Sequence, residues 1–516
     1  MAVDSLGLDS HCAQEIVYQH GDLRGCLRGT RGTILEEIES WISGSARPSI
    51  FWLDGVAGVG KSAIAQAVVE RCNAGNWLVS TFFCSRDIDY KTPRLLFPSL
   101  AIQLARQNPK IRSTLVSLLR SNPDIVYESP SEQVEEFIVK PLQSTDGPVV
   151  IVIDALDEWG DDASQSGVVS ALEHWVREIP KVKFLVTSRP KPHISASLNF
   201  PLLSGVVSIY TLHVIEQHII DKDIRSFLEH ELSLLATQEG LADWPTAAQL
   251  VLLCARAAGL FVYAVSTVKF LGRKHTSPNK QYAIVEQSPD DTVHEGTVEG
   301  VHGGLSLDCL CTSTFQASFR YNDAEDDDAV RSVLAGVVLV TYPIPPSAIA
   351  DLTSLEVSEV MTILESIQPL LRLQGPDQPV RPFHKLLSDL LTSNRCADER
   401  FYIAPGKFHT LIALGCLNLM NKTLEGGLSP LHHTFDTEIE HPHDTVALKY
   451  AYKSWHIHLA MSRELVTSLV PPLHHLLEEN FTSWLGVTAD PLTALNGTIS
   501  WLGEVCSDYS KASASS

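Results

Sequence analysis

The sequence predicts an α/β fold, five parallel strands interleaved with helices, continued by a mostly helical second half. Three observations carry that prediction. A glycine-rich turn, Gly55-x-x-x-x-Gly60-Lys61-Ser62, lies between the apolar run Ile50 to Leu53 and a stretch, AIAQAVVE, that keeps alanine and β-branched residues at helical spacing. Val149 to Ile153 are five consecutive β-branched residues, the pattern of a parallel strand buried on both faces. After about residue 215 the alternation of strand and helix gives way to long helices with apolar stripes.

Taken in order, residues 1–20 are weakly patterned, and apolar positions 34, 35, 38, 41 and 42 predict a helix over 33–42. A break at Gly44–Pro48 leads into the first strand, the glycine turn and its helix. WLVSTFFC, 77–84, reads as the second strand, and 95–119 as helical through SLAIQLARQ and the stripe Ile111, Leu115, Leu118. A further helix is expected around 131–142, before Gly147-Pro148 resets the chain. The third strand ends at Asp154, with Asp157 and Glu158 just beyond it. A helix over 167–179 precedes a fourth strand, 182–190, which emits Ser188 and Arg189 at the same edge, and 206–212 completes five strands. Residues 219–237 and 247–271 read as helices, 272–304 as polar and glycine-bearing, and 329–341 as apolar. A short Pro-initiated helix at 344–352, a helix with room for a strand at 355–374 and the amphipathic RPFHKLLSDLL, 381–391, follow. Helical matter at 408–424, 443–467 and 468–502 ends in the tail KASASS, expected to be disordered. No internal repeat of 20–50 residues is visible.

At 516 residues the chain has room for a large core, and 44% apolar content with a mean hydropathy of +0.05 suits a folded globular protein. Sixty-one acidic against 39 basic residues give a net charge of -22, which repels nucleic acid and anionic membranes, so neither is expected as a partner. The acidic run Asp323, Glu325, Asp326, Asp327, Asp328 is expected to be a solvated linker rather than a metal site. Ten cysteines are scattered without a C-x-x-C, the nearest pair being Cys309 and Cys311, so free thiols in a reducing, cytoplasmic setting are expected. No signal peptide is apparent. Arg256 and Lys269 interrupt the most apolar long window, 250–271, so no membrane span is expected.

The glycine turn is suited to wrapping a polyphosphate. Glycines at 55, 58 and 60 let backbone N–H groups turn inward with no Cβ in the way, and the following helix points its unpaired N–H groups at the same anion. On this reading Gly55, Val56, Ala57, Gly58, Val59, Gly60, Lys61 and Ser62 bind nucleotide, with Lys61 on the outer phosphates and Ser62 on Mg2+. Asp154, at the carboxyl edge of a buried strand, is placed to hold the Mg2+ shell opposite Ser62, because a hard cation prefers oxygen. Asp157 and Glu158 are candidates for polarising an attacking water, although acids after a strand also solvate loops or cap helices. Arg189 is a candidate for spreading γ-phosphate charge, a pattern that a surface arginine beside Pro190 also satisfies. The absence of an N-K-x-D motif favours ATP or ADP over a guanine nucleotide.

With these motifs the chain resembles the fungal NACHT proteins, members of the signal-transducing (STAND) P-loop NTPases that include the innate-immunity nucleotide-binding receptors. The blocks that carry the resemblance are FWLDGVAGVGKSAIAQ, VIDALDEW, LVTSRP, ARAAGLFVYAVSTVKFL, SPDDTVHEG and FHKLLSDLLTSNRC. The resemblance implies a NACHT module followed by helical and winged-helix-like modules that clamp ADP at rest and open, then oligomerise, on exchange for ATP. It divides the chain into an N-terminal segment (1–32), the NTPase domain (33–214), a helical domain (215–310), a winged-helix-like domain (311–405), a C-terminal helical domain (406–502) and a tail (503–516). It also makes His384 a contact to the β phosphate, a histidine that read alone is as well explained structurally. Gly29-Thr30-Arg31 would line the adenine side, and Gly259-Leu260-Phe261 stands where many relatives have Gly-Leu-Pro. Two departures are the lack of WD40-like repeats and the short segment before residue 20. The function implied is a Mg-dependent ATP/ADP switch with slow hydrolysis in signalling, non-self recognition or programmed cell death, acting through protein partners or self-oligomerisation of the helical regions. The rivals are a true-turnover mechanochemical NTPase and a scaffold with a vestigial site.

Overall fold

The computed structural model describes residues 25–44, 49–84, 96–159 without 144, 146 and 147, 161–198 without 177, 178 and 180, 205–287 without 274 and 275, 308–319 without 309, 313 and 317, 324–425 without 385, 394, 395 and 397, and 445–503 without 465, 488–491 and 493. The SPDDTVHEG block, Cys309, Asp323, the KASASS tail and the weakly patterned start lie outside the described residues. Two compact units divide the chain, Met1–Val268 with Asp291–Ser306, and Lys269–Asp290 with Leu307–Ser516.

The first unit is built on a five-stranded parallel sheet of β1 (Ile50–Asp54), β2 (Leu78–Phe83), β3 (Val149–Asp154), β4 (Val182–Ser188) and β5 (Val207–Thr211), in the order β2-β3-β4-β1-β5. Every residue of β1, β3 and β4 is buried, which is why their sequences show no polar alternation. Around the sheet lie α1 (Gly32–Ser43), α2 (Lys61–Ala74), α3 (Leu96–Gln107), α4 (Pro109–Ser121), α5 (Asp162–Trp175) and α6 (Pro192–Leu198). From β1 the chain crosses to the β2 side and then returns through β3 and β4, so the connections diverge between β1 and β4. Such a divergence opens a crevice at the carboxyl edge of the sheet.

The edge at β2 is closed by side chains. Gln103 of α3 accepts from the Thr81 N–H at 2.9 Å and donates to its carbonyl at 2.8 Å, and Gln107 makes the same pair with Val79 at 3.2 and 2.6 Å. Two carboxamides thereby stand in for a missing strand.

Two expected helices are broken. The 95–119 stretch divides at Asn108, whose side chain accepts from the Lys110 N–H, with Pro109 in the first helical position, so local capping overrides the continuous apolar stripe. The 247–271 stretch divides into α8 (Ala247–Ala257) and α9 (Phe261–Leu271), after α7 (Gln217–Glu239), because Ala258 and Gly259 take φ of 45° and 83°.

In the second unit, α10 (Ala324–Val338), α11 (Pro346–Thr353) and α12 (Val357–Ser366) precede a two-stranded antiparallel ladder of β6 (Leu371–Arg372) and β7 (Arg381–Pro382), a winged-helix-like order, then α13 (Leu386–Leu391). Residues 325–328 of the expected acidic linker instead lie in the first turns of α10. α14 (Pro405–Glu425) and α15 (Val446–Met461) then pack as a long pair. Among the described residues the cysteines are free thiols, and no helix is long and apolar enough to cross a membrane.

Between α14 and α15 lies a buried polar chain. His409 Nδ1 and His458 Nδ1 are 2.8 Å apart, so one donates and the other accepts, and the Tyr450 hydroxyl is 2.6 Å from His458 Nε2. The Thr341 N–H donates to that hydroxyl at 3.1 Å. Burial pushes His409 down to about 4, and burial with the neighbouring histidines pushes His458 down to about 3. Both are therefore neutral in the fold. An unfolded chain takes up protons at these positions below about pH 6.5, so stability is full above that value and is lost as pH falls toward 4. We expect the unfolding free energy to drop by about 1–2 kcal/mol per pH unit across this window. Urea melts at pH 7.5, 6.0 and 5.0 check this, with H409N/H458N flattening the dependence.

Candidate functional site

The loop from Gly55 to Gly60 joins β1 to α2 at the crevice. Gly58 and Gly60 take φ of 83° and 97°, the left-handed region that glycine alone enters without strain. A Cβ on Gly58 would lie 2.5 Å from Val262 Cγ1, so the loop also depends on glycine for space. The first residues of α9 close on it: the Val262 N–H donates to the Gly58 carbonyl at 3.1 Å. Arg31 braces the other side. Its guanidinium donates to the Val59 carbonyl at 2.6 Å and lies 4.7 Å from the Phe261 ring centroid, while its N–H donates to Asp223 at 2.9 Å. Gly29-Thr30-Arg31 and Gly259-Leu260-Phe261 thus flank the loop from two sides.

Lys61 Nζ donates to the carbonyls of Gly55 at 2.7 Å and Val56 at 2.9 Å. Burial lowers its affinity for the proton, and the carboxylates of Asp157 and Asp154 oppose that. Asp154, at the end of β3, is 3% exposed and accepts hydrogen bonds from the hydroxyls of Ser62 and Thr187. Burial raises its pKa, against the pull of those two donors and of Lys61. Next, Ala155 turns the chain with φ of 55°, its N–H donating to Thr187 Oγ1 at 2.9 Å.

The turn Leu156–Glu158 brings two acids and Arg189 together. Asp157 accepts from the Arg189 N–H at 3.0 Å and from Arg189 Nε at 2.5 Å, and Arg189 Nη2 is 3.7 Å from Glu158 Oε1. Burial raises the Asp157 pKa, yet the Arg189 hydrogen bonds and charge together hold it below the ordinary carboxylate range. Asp157 is thus committed to Arg189, whereas the Glu158 side chain is 28% exposed.

All the first-unit candidates therefore meet at the carboxyl edge of β1, β3 and β4. The sequence reading missed Thr187, Asp223 and the bracing by Arg31. Thr187 sits within the LVTSRP block, but its bond to Asp154 depends on β3 and β4 being neighbours. His384 belongs to the second unit, where its Nδ1 accepts from the Leu386 N–H at 3.2 Å at the start of α13.

The residues present fit a Mg2+-nucleotide. A glycine cradle too tight for a Cβ, the N-terminus of α2, a buried lysine and a hydroxyl–carboxylate pair, Ser62 with Asp154, supply amide and ammonium donors for phosphate and hard oxygens for the ion.

Residues 29–189 match the family model described as Nephrocystin 3, N-terminal. A search of curated proteins found no match. Among solved structures, the chain is similar to a STAND protein with a tetratricopeptide repeat sensor from Pyrococcus horikoshii, at 12% identity and a TM-score of 0.40 over 95% of this chain and 66% of that one. It is also similar to the Aeropyrum pernix ORC1 protein in complex with DNA (17% identity, TM-score 0.34, 71% and 92% covered). A Walker-type ATPase of Pyrococcus abyssi is similar too (12%, TM-score 0.35, 72% and 98%). The chain thus spans slightly less than two thirds of the Pyrococcus horikoshii protein. Its first unit has the fold of a P-loop NTPase, and the stretch 29–189 within it is similar to the Nephrocystin 3 N-terminal family.

Proposed function

We propose that the chain is a conformational switch of the STAND kind that binds ATP or ADP with Mg2+ and hydrolyses ATP slowly. The observation that carries this reading is the convergence of the 55–62 loop, the Ser62–Asp154 pair and the Arg189–Asp157–Glu158 group on one sheet edge. Backbone N–H groups of the loop and α2 hold the phosphates, Lys61 neutralises them, and Ser62 and Asp154 hold Mg2+. When bound, the ion neutralises charge on the phosphates. Glu158 is the acid available to orient a water, and Arg189, held by Asp157, is available to the outer phosphate.

The NACHT resemblance supports a role in signalling, non-self recognition or programmed cell death, with the helical, winged-helix-like and C-terminal modules as moving parts. His384 in this scheme contacts ADP in the resting form. The net charge of -22 favours protein partners or self-association over nucleic acid, and the scattered thiols favour the cytoplasm.

A ligand moves such an equilibrium only by its difference in affinity for two states, so the γ phosphate must favour the open form by about 3–5 kcal/mol. Light scattering with ADP and then with a slowly hydrolysed ATP analogue, both with Mg2+, tests it. The expected result is a larger assembly with the analogue alone. The same mass in both conditions, with both nucleotides bound, removes the switch.

A further inference from the structure

Two carbonyls of the 55–62 loop are gripped by groups that belong neither to the loop nor to the helix after it. Arg31 Nη2 donates to the Val59 carbonyl at 2.6 Å, and the Val262 N–H donates to the Gly58 carbonyl at 3.1 Å. Both peptides are trans, and in a planar trans peptide the carbonyl of one residue and the N–H of the next point in opposite directions. Holding the Val59 carbonyl therefore directs the Gly60 N–H away from Arg31. Holding the Gly58 carbonyl directs the Val59 N–H away from Val262. A peptide beside glycine otherwise turns over easily, because glycine populates both signs of φ, and Gly60 has φ of 97°. The grip from outside removes that freedom at two amides assigned above to phosphate.

Arg31 is itself built into place. It precedes α1 with φ of 56°, a left-handed conformation costly to a residue with a Cβ, and its N–H donates to Asp223 Oδ2 on α7 at 2.9 Å. Its carbonyl accepts from the Leu35 N–H at 3.1 Å, the first bond of α1. The residue is 5% exposed, with its guanidinium against the Phe261 ring. Burying a guanidinium costs solvation that one carbonyl and one ring return only in part. A strained backbone and a buried cation at the same residue mark a conformation held for a task. We propose that Arg31 is a positioning residue that keeps the phosphate cradle assembled before nucleotide arrives: through the Val59 carbonyl it aims the Gly60 N–H at the phosphates, and Asp223 sets Arg31 in turn. The inference rests on the nucleotide reading above for its consequence, but not for its geometry.

Four variants of the full chain test it. Arg31→Met keeps an apolar stem against Phe261 and removes every donor, and Arg31→Lys returns a cationic donor. Asp223→Ala removes the acceptor for the Arg31 N–H, and Asp223→Asn returns one. Binding of Mg-ADP and of Mg-pyrophosphate is measured by competition with a labelled ADP. Arg31→Met is expected to weaken both ligands by the same factor, about tenfold, because the lost preorganisation bears on the phosphates alone. Asp223→Ala should weaken both about threefold, while Arg31→Lys and Asp223→Asn stay within about twofold of the parent. A merely structural arginine would give neither the equal factors nor the rescue by lysine.

Amide exchange over residues 55–62 in the nucleotide-free chain gives a second readout. It should quicken in Arg31→Met and Asp223→Ala and return to the parent rate in Arg31→Lys and Asp223→Asn. Unchanged pyrophosphate affinity in Arg31→Met overturns the proposal, and a loss confined to ADP would make Arg31 a contact to the nucleoside instead. A parent chain that binds neither ADP nor pyrophosphate removes the nucleotide reading alone, and the exchange measurement then decides whether Arg31 holds the loop.

Discussion

Replacing Lys61 with alanine is expected to weaken ADP and ATP binding by about 100-fold or more, the largest functional effect of any single change in this chain. Lys61 is 9% exposed, and its ammonium sits on the carbonyls of Gly55 and Val56. A charge-assisted bond to phosphate in such a shielded place contributes about 2–3 kcal/mol. Truncation removes that bond and also removes a buried cation that burial already disfavours, so the nucleotide-free fold should lose little. Fluorescence titration with a labelled nucleotide, beside thermal melts without it, separates the two effects. An unchanged dissociation constant in Lys61→Ala ends the assignment of this loop as a phosphate site.

The largest effect on stability is expected at Gly415. This glycine lies within α14, where alanine would ordinarily stabilise by about 0.5–1 kcal/mol through the entropy of the unfolded chain. Here the sign reverses. A Cβ at 415 would stand 2.2 Å from the Leu352 carbonyl oxygen and 3.0 Å from its carbon, and both are backbone atoms of α11 that cannot turn aside like a side chain. Gly415→Ala must push α11 and α14 apart, at a cost of about 3 kcal/mol. Gly336→Ala is a milder case, since its nearest neighbour is the Ile349 Cγ2 methyl at 2.9 Å, and Gly167→Ala in α5 meets nothing within 4 Å and should stabilise. Urea midpoints of the three variants should follow that order. Equal midpoints for Gly415→Ala and Gly167→Ala would show that the helices are not held at this distance.

Much of the first unit was legible in the sequence because its signals are local. The strand-loop-helix at 50–74 is written in adjacent residues: apolar strand, glycines where φ is positive, and small or branched residues in the helix. The all-apolar strand at 149–154 is equally direct, since burial on both faces leaves no position for polar alternation. Helix breaks were harder. At Asn108 a side-chain cap, and at Ala258-Gly259 a left-handed pair, interrupt stripes that are continuous by hydrophobicity alone. The acidic run read as a linker because its composition is that of solvated chain, while its position at the start of α10 is a tertiary fact.

By itself the sequence determined the chemistry available at the candidate site: the glycines, Lys61, Ser62, Asp154, Asp157, Glu158 and Arg189 are all named by motif and by position at strand ends. Only the tertiary structure decided how these groups are paired. Parallel neighbours such as β3 and β4 are joined by long connections, so their adjacency is set by packing of the whole sheet and leaves no short-range mark. For that reason the Thr187 bond to Asp154, the commitment of Asp157 to Arg189 and the Arg31 brace on Val59 are decided by the tertiary fold alone.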